Sequence, residues 1–195
     1  MSSILKVDTI QDSSGNNIIN ESGDTITIGA SGDTTNIIGT LQNDGASIAN
    51  TPSFEATRSS DQTLSSSTYA KVQYNTETFD TAGAYDNSSN YRFTVPSGQA
   101  GKYYIYASAT ISSNSQTDFN FGNIVIYKNG SEYRNLISDH RANPVYRPYV
   151  AVQAIMDLAV SDYIEIYARV NTGSSTPKIQ GTNANYFGGY KLITW

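Results

Sequence analysis

The chain has 195 residues, a formal net charge of −5, no Cys, and 15% charged residues against 38% hydrophobic ones. The lack of Cys excludes disulfides, thiolate nucleophiles and Cys-based zinc sites. With no Lys/Arg cluster, a nucleic-acid partner is not expected. Few charges, many Ser, Thr and Asn, and 15 Tyr suggest a β-rich exported or particle-surface protein more than a helical enzyme.

The opening, MSSILKVDTIQD, lacks a charged start followed by a long apolar run, so no secretory signal is expected. No apolar stretch nears the ~20 residues that cross a bilayer, and a soluble protein without membrane insertion is expected. Up to about residue 50 there is no aromatic side chain; every Phe, Tyr and Trp lies from Phe54 onward. The turn-rich segment NDGASIANTPS (43–53) sits on that shift. A boundary is therefore placed there, giving residues 1–50 and 51–195.

Within residues 1–50 the apolar side chains form small clusters: Ile4, Leu5, Val7 and Ile10, then Ile18 and Ile19, Ile26 and Ile28, and Ile37, Ile38 and Leu41. Gly, Asn, Asp and Ser separate them, a pattern of short strands and turns. SGDT occurs twice, at 22–25 and 31–34, each time followed by isoleucines and a Gly. One copy of such a segment buries too little apolar area to offset its chain entropy. Either it is disordered, or identical copies wrap around a common axis. The repeated register of Ile26 and Ile28 with Ile37 and Ile38 favours the second, an extended, intertwined β stem.

From Phe54 the pattern is of strands, expected at 53–58, 69–75, 90–95, 102–112, 121–128, 132–138, 148–158, 162–170 and 186–194. Over 102–112, Tyr103, Ile105, Ala107, Ala109 and Ile111 share one face, while Tyr104, Tyr106, Ser108, Thr110 and Ser112 share the other. Comparable alternation runs through 148–158 and 162–170. Period-two patterns without a helical period argue an all-β, two-sheet sandwich. Asn129-Gly130 predicts a tight hairpin.

Residues 85–108, YDNSSNYRFTVPSGQAGKYYIYAS, resemble the signature of the complement-head domains among the tumour-necrosis-factor-like jelly rolls, through Tyr85, Asp86, Phe93, Thr94, Pro96, Gly101 and Tyr103. LAVSDYIEIYARV (158–170) is similar to a later strand of that family, with Asp162 kept and Ser161 where Gly is usual. YFGGYKLI (186–193) resembles its closing strand through Phe187, Gly189 and Tyr190. The opening ILKVDTIQDSSGNNII resembles tail-fibre and appendage proteins of tailed bacteriophages. Together these resemblances imply a jelly-roll head on a β stem, a homotrimer, and location in a virion. Tyr104, Tyr106, Tyr149 and Phe187 are expected to face the trimer axis of the head, and Ile26, Ile28, Ile37 and Ile38 that of the stem.

Sites of chemistry are sparse. His140 is the single His, beside Ser138 and Asp139, but adjacency along a chain does not make a triad. Asp24 and Asp33 of the SGDT repeat suit turns better than calcium loops. Asp118, Glu132 and Asp139 carry no motif for glycoside cleavage. Asn20-Glu-Ser, Asn87-Ser-Ser and Asn129-Gly-Ser read as turns. No catalytic residue, metal or cofactor is expected. Loops 138–149 and 171–186, with His140, Arg141, Tyr146 and Arg147, are the expected recognition surfaces for a sugar or protein on a host. The function expected is a non-enzymatic short fibre or appendage, attached to tail or capsid proteins through residues 1–50. A capsid decoration protein bracing the shell is the alternative.

Overall fold

A computed structural model describes residues 9–11, 13–15, 17–22, 25–28, 31–38, 42–43, 46–47, 50–113 and 118–192. The chain divides into two compact units, Met1–Ile48 and Ala49–Trp195.

In the first unit, β1 (Thr9–Gln11), β2 (Asn17–Ser22) and β3 (Thr25–Ile28) form an antiparallel three-stranded sheet. β4 (Gln42–Asn43) pairs with β5 (Ala46–Ser47). The register sets Ile10 opposite Ile19 and Ile19 opposite Ile28, so these isoleucines form one row across the sheet. All are exposed, Ile28 to 55%. Ile26 pairs with Glu21, Ile28 with Ile19, and Ile37 and Ile38 lie outside the strands.

The second unit begins with β6 (Ser53–Arg58), β7 (Gln62–Thr63), β8 (Ala70–Lys71), β9 (Thr76–Asp80), β10 (Tyr85–Asp86) and β11 (Arg92–Thr94). The long strands follow: β12 (Gly101–Ser112), β13 (Phe119–Lys128), β14 (Ser131–Asp139), β15 (Tyr149–Leu158) and β16 (Tyr163–Thr172). β17 (Lys178–Ile179) and β18 (Thr182–Lys191) complete it. One sheet runs β10-β11-β16-β13-β14, with β8 also on β16. The other runs β7-β17-β12-β18-β6-β9, with β15 on the free side of β12.

The expected alternation holds. Tyr103, Ile105, Ala107, Ala109 and Ile111 are buried, as are Val150, Val152, Ala154, Met156 and Leu158 on β15, and Ile164, Ile166, Ala168 and Val170 on β16. Between the sheets the rings of Phe54 and Phe93 stack at 4.6 Å, and Phe187 meets Phe54 edge-on at 5.0 Å. Asn129 and Gly130 have φ of 52° and 78°, the paired positive values of the expected two-residue hairpin joining β13 to β14.

The expected strand 69–75 shortens to β8. Beyond Lys71 side chains take over the backbone groups: Gln73 N–H donates to Gln62 Oε1 at 3.0 Å, and Gln73 C=O accepts from the Arg58 guanidinium at 2.5 Å. β9 has no counterpart in the sequence reading, because its TETFD is mostly polar and pairs with β6 as a largely exposed strand.

Candidate functional site

The jelly-roll signature resolves into structural roles. The Tyr85 hydroxyl donates to Tyr74 C=O at 2.8 Å, and burial raises the pKa of both phenols. Asp86 closes the following turn, accepting N–H bonds from Ser88, Ser89 and Asn90; these hold its pKa well below the usual carboxylate range. Phe93 lies in the core. Tyr103 donates to Gln99 C=O at 2.6 Å, and burial pushes its pKa up to about 12. Asp162 accepts from the Asn129 amide at 2.7 Å, from Lys128 at 2.9 Å and from Ala159 N–H at 2.8 Å, which lowers its pKa to about 2. Ser161, in the place of a Gly, adopts φ 70°.

The surface that stands out is the outward face of the β15-β12-β18-β6-β9 part of the sheet. Tyr104 lies opposite Ile155 on one side and Tyr190 on the other. In the next row, Tyr106 lies opposite Gln153 and Gly188, and Gly188 opposite Glu55. The rings form a continuous belt: Tyr104 to Tyr190 at 5.6 Å, Tyr104 to Tyr106 at 5.8 Å, and Tyr106 to Tyr186 at 5.8 Å. Gly188 makes room for it, since a Cβ there would come within 2.5 Å of the Tyr106 ring. The Tyr106 hydroxyl donates to Glu55 Oε2 at 3.1 Å; burial, then the neighbouring carboxylate, raises its pKa. Tyr149 reaches Tyr186 through its hydroxyl at 3.1 Å.

The apolar surface continues to where the two sheets end together at β14 and β15. Here Ile155 is 60% exposed, Tyr149 51%, Leu136 48% and Tyr133 45%. Among the described residues β15 pairs only with β12 and β14 only with β13, so a long backbone edge of each sheet borders this patch.

Of the head residues expected at the axis, Tyr104, Tyr106 and Tyr149 stand on the outward face. Phe187 does not. It is fully buried between the sheets, opposite Ala107 and Ala56, and cannot meet a neighbouring chain. Both parities of β18 carry aromatics. The register, which sets Phe187 against two alanines and Gly188 against Tyr106, decides which point outward. Tyr186, Tyr190, Ile155 and Glu55 were therefore missed; the Gly188-Gly189 pair beside Tyr-rich β12 was the one signal in the sequence. In the first unit Ile28, Ile37 and Ile38 are exposed, and the side chain of Ile26 lies outside the described residues.

The expected recognition residues divide. Asp139 binds the Arg141 guanidinium, which holds the carboxyl below its usual range, and Arg141 also lies over Phe121 at 5.7 Å. Arg147 lies over Tyr146 at 5.3 Å, both exposed. His140 Nε2 is 2.9 Å from Ser138 Oγ. With Asp139 occupied by Arg141, no carboxylate orients the imidazole among the described residues. Asp118 anchors the loop after β16, accepting N–H bonds from Ser174 and Ser175, and Glu132 accepts from the Asn135 amide. Among the described residues no group of three or more His, Cys, Asp or Glu is placed to hold a metal ion; Asp24 lies outside them.

No protein-family model matches the chain, and no curated protein does. Solved structures do. The globular domain of zebrafish complement 1qA superposes with a TM-score of 0.52 at 14% identity, covering 73% of this chain and 98% of that one. Murine APRIL at pH 5.0 gives 0.53 at 12%, covering 72% and 98%. The Eiger tumour necrosis factor of S. frugiperda gives 0.51 at 11%, covering 73% and 93%. The head is thus a jelly-roll sandwich of the complement-1q and tumour-necrosis-factor type, as its signature residues imply.

Proposed function

We propose that the chain is a non-catalytic structural protein of a bacteriophage particle, a homotrimeric short fibre or appendage. Residues 1–50 form its shared stem and particle-docking segment, and the head is presented outward. One observation carries the trimer: a single chain exposes an apolar surface that runs from the tyrosine belt through Ile155 and Tyr149 to Leu136 and Tyr133 at the β14–β15 edge. The two ends of such a surface can meet head to tail on neighbouring copies, and contacts of this kind form a ring where the rotation closes. Heads of this jelly-roll type are typically homotrimers, which supports three copies. The exposed row Ile10, Ile19 and Ile28 supports the same arrangement in the first unit, as a row that identical copies can bury.

The phage assignment rests on the resemblance of the opening segment to fibre and appendage proteins. Mass photometry of the purified chain tests the assembly: a species near three times 21.1 kDa is expected, and a stable monomer would refute it. Labelling the protein on particles tests the location. Label at the tail or at isolated appendages is expected. Many copies spread evenly over the capsid would instead make it a decoration protein.

A further inference from the structure

The outward face of the other sheet carries a guanidinium that is held in place and left without a counterion. Arg169 on β16 lies between two rings, 5.7 Å from the centroid of Tyr69 and 5.3 Å from that of Phe121. Its Nε donates to Ser67 C=O at 3.0 Å, which fixes the plane of the group. Its two terminal nitrogens have no acceptor, and no carboxylate lies within ion-pair distance, among the described residues. The neighbouring cations differ. Lys71 is paired with Glu165 at 2.6 Å, and Arg141 with Asp139. Arg169 is therefore a pre-positioned, unpaired fork, a geometry suited to two-point binding of a carboxylate.

What surrounds it narrows the ligand. The rings of Tyr127 and Tyr167 lie 4.3 Å apart, tilted by 33°, on the same face and make a half-exposed aromatic platform beside the fork. Directly across the ladder from Arg169 lies Asn123, whose amide donates to Asn135 at 2.8 Å. Its Oδ1 is buried and has no donor among the described residues. One cationic fork, flat rings and the exposed Asn135 amide match a ring with one carboxylate, an apolar CH face and several hydroxyls. A phosphate polymer would need a run of unpaired cations, and the two cations next to Arg169, Lys71 and Arg141, are already paired.

We propose that Arg169, with Tyr69, Phe121 and the Tyr127–Tyr167 platform, binds the carboxylate and ring of an acidic saccharide. The proposal goes beyond the trimeric appendage and does not depend on it, since the tyrosine belt belongs to the other sheet. The test uses the intact purified chain and calorimetric titration with galacturonate, glucuronate and N-acetylneuraminate oligosaccharides, each beside its carboxyl-reduced counterpart. At least one acid form should bind about tenfold or more tightly than its reduced form, more weakly as salt rises. Arg169→Gln should abolish that preference. Arg169→Lys, which keeps the charge without the fork, should weaken it about tenfold. Lys102→Gln, on β12 of the other sheet, should leave it unchanged, and thermal unfolding of each variant shows that it folds. Equal binding of acid and reduced forms across the panel would overturn the proposal. So would wild-type affinity in Arg169→Gln, equal loss in Lys102→Gln, or preferential binding of a DNA oligonucleotide.

Discussion

Replacing Phe187 by Ala separates a core role from an interface role. The ring is fully buried, edge-on to Phe54 at 5.0 Å and to Tyr85 at 5.6 Å, and 5.8 Å from Tyr74. Truncating a buried Phe to Ala costs about 3–5 kcal/mol, lost transfer free energy plus the cavity left behind. The strand partners of Phe187 are Ala107 and Ala56, too small to collapse into that space, which places the loss toward the upper end. Against a domain stability of roughly 5–15 kcal/mol, the head survives but is severely weakened. Urea unfolding followed by near-ultraviolet circular dichroism measures the change, and mass photometry in native buffer measures assembly. The expected result is a large fall in midpoint with a similar slope. A loss below about 1 kcal/mol together with a broken oligomer would show that Phe187 meets another chain and that the register is wrong.

Ile155→Arg places a charge on the most exposed apolar residue of the β14–β15 edge and should convert trimer to monomer in mass photometry while the unfolding midpoint of the isolated head stays within about 0.5 kcal/mol. Gly188→Val forces the Tyr106 ring out of the belt and should loosen assembly, read as dissociation on dilution. Ser161→Gly removes the cost of a left-handed conformation at φ 70° and should stabilise the head by roughly 0.5–1 kcal/mol in urea unfolding. The pKa of Asp162 is depressed to about 2, so its contribution is present above the unfolded carboxylate value near 4 and fades as pH falls through 2. An acid-unfolding series should therefore show a weaker pH dependence between about pH 4 and 2 in Asp162→Asn than in the wild type.

Much of the head was legible in the chain. Alternation along 102–112, 148–158 and 162–170 assigned each residue a face, because a strand's side chains alternate whatever it pairs with. Asn129-Gly130 named its hairpin because few other residues accept positive φ twice in succession. The resemblance of residues 85–108 to a jelly-roll signature was borne out in the fold, since those positions build turns and core.

What the sequence by itself determined is thus local: strand periodicity, turn chemistry, and the change at about residue 50 from aromatic-free to aromatic-rich chain. Partnership was decided by the tertiary structure. The Tyr186-Phe187-Gly188-Gly189-Tyr190 run is apolar on both parities, and its pairing with β12 put Phe187 inside and the tyrosines outside. Shifting a register by one residue turns every side chain to the other face. Arg169 and Tyr69, a hundred residues apart in the chain, meet because β8 pairs with β16. Such distant pairings follow from the packing of the whole sandwich, which no local pattern encodes.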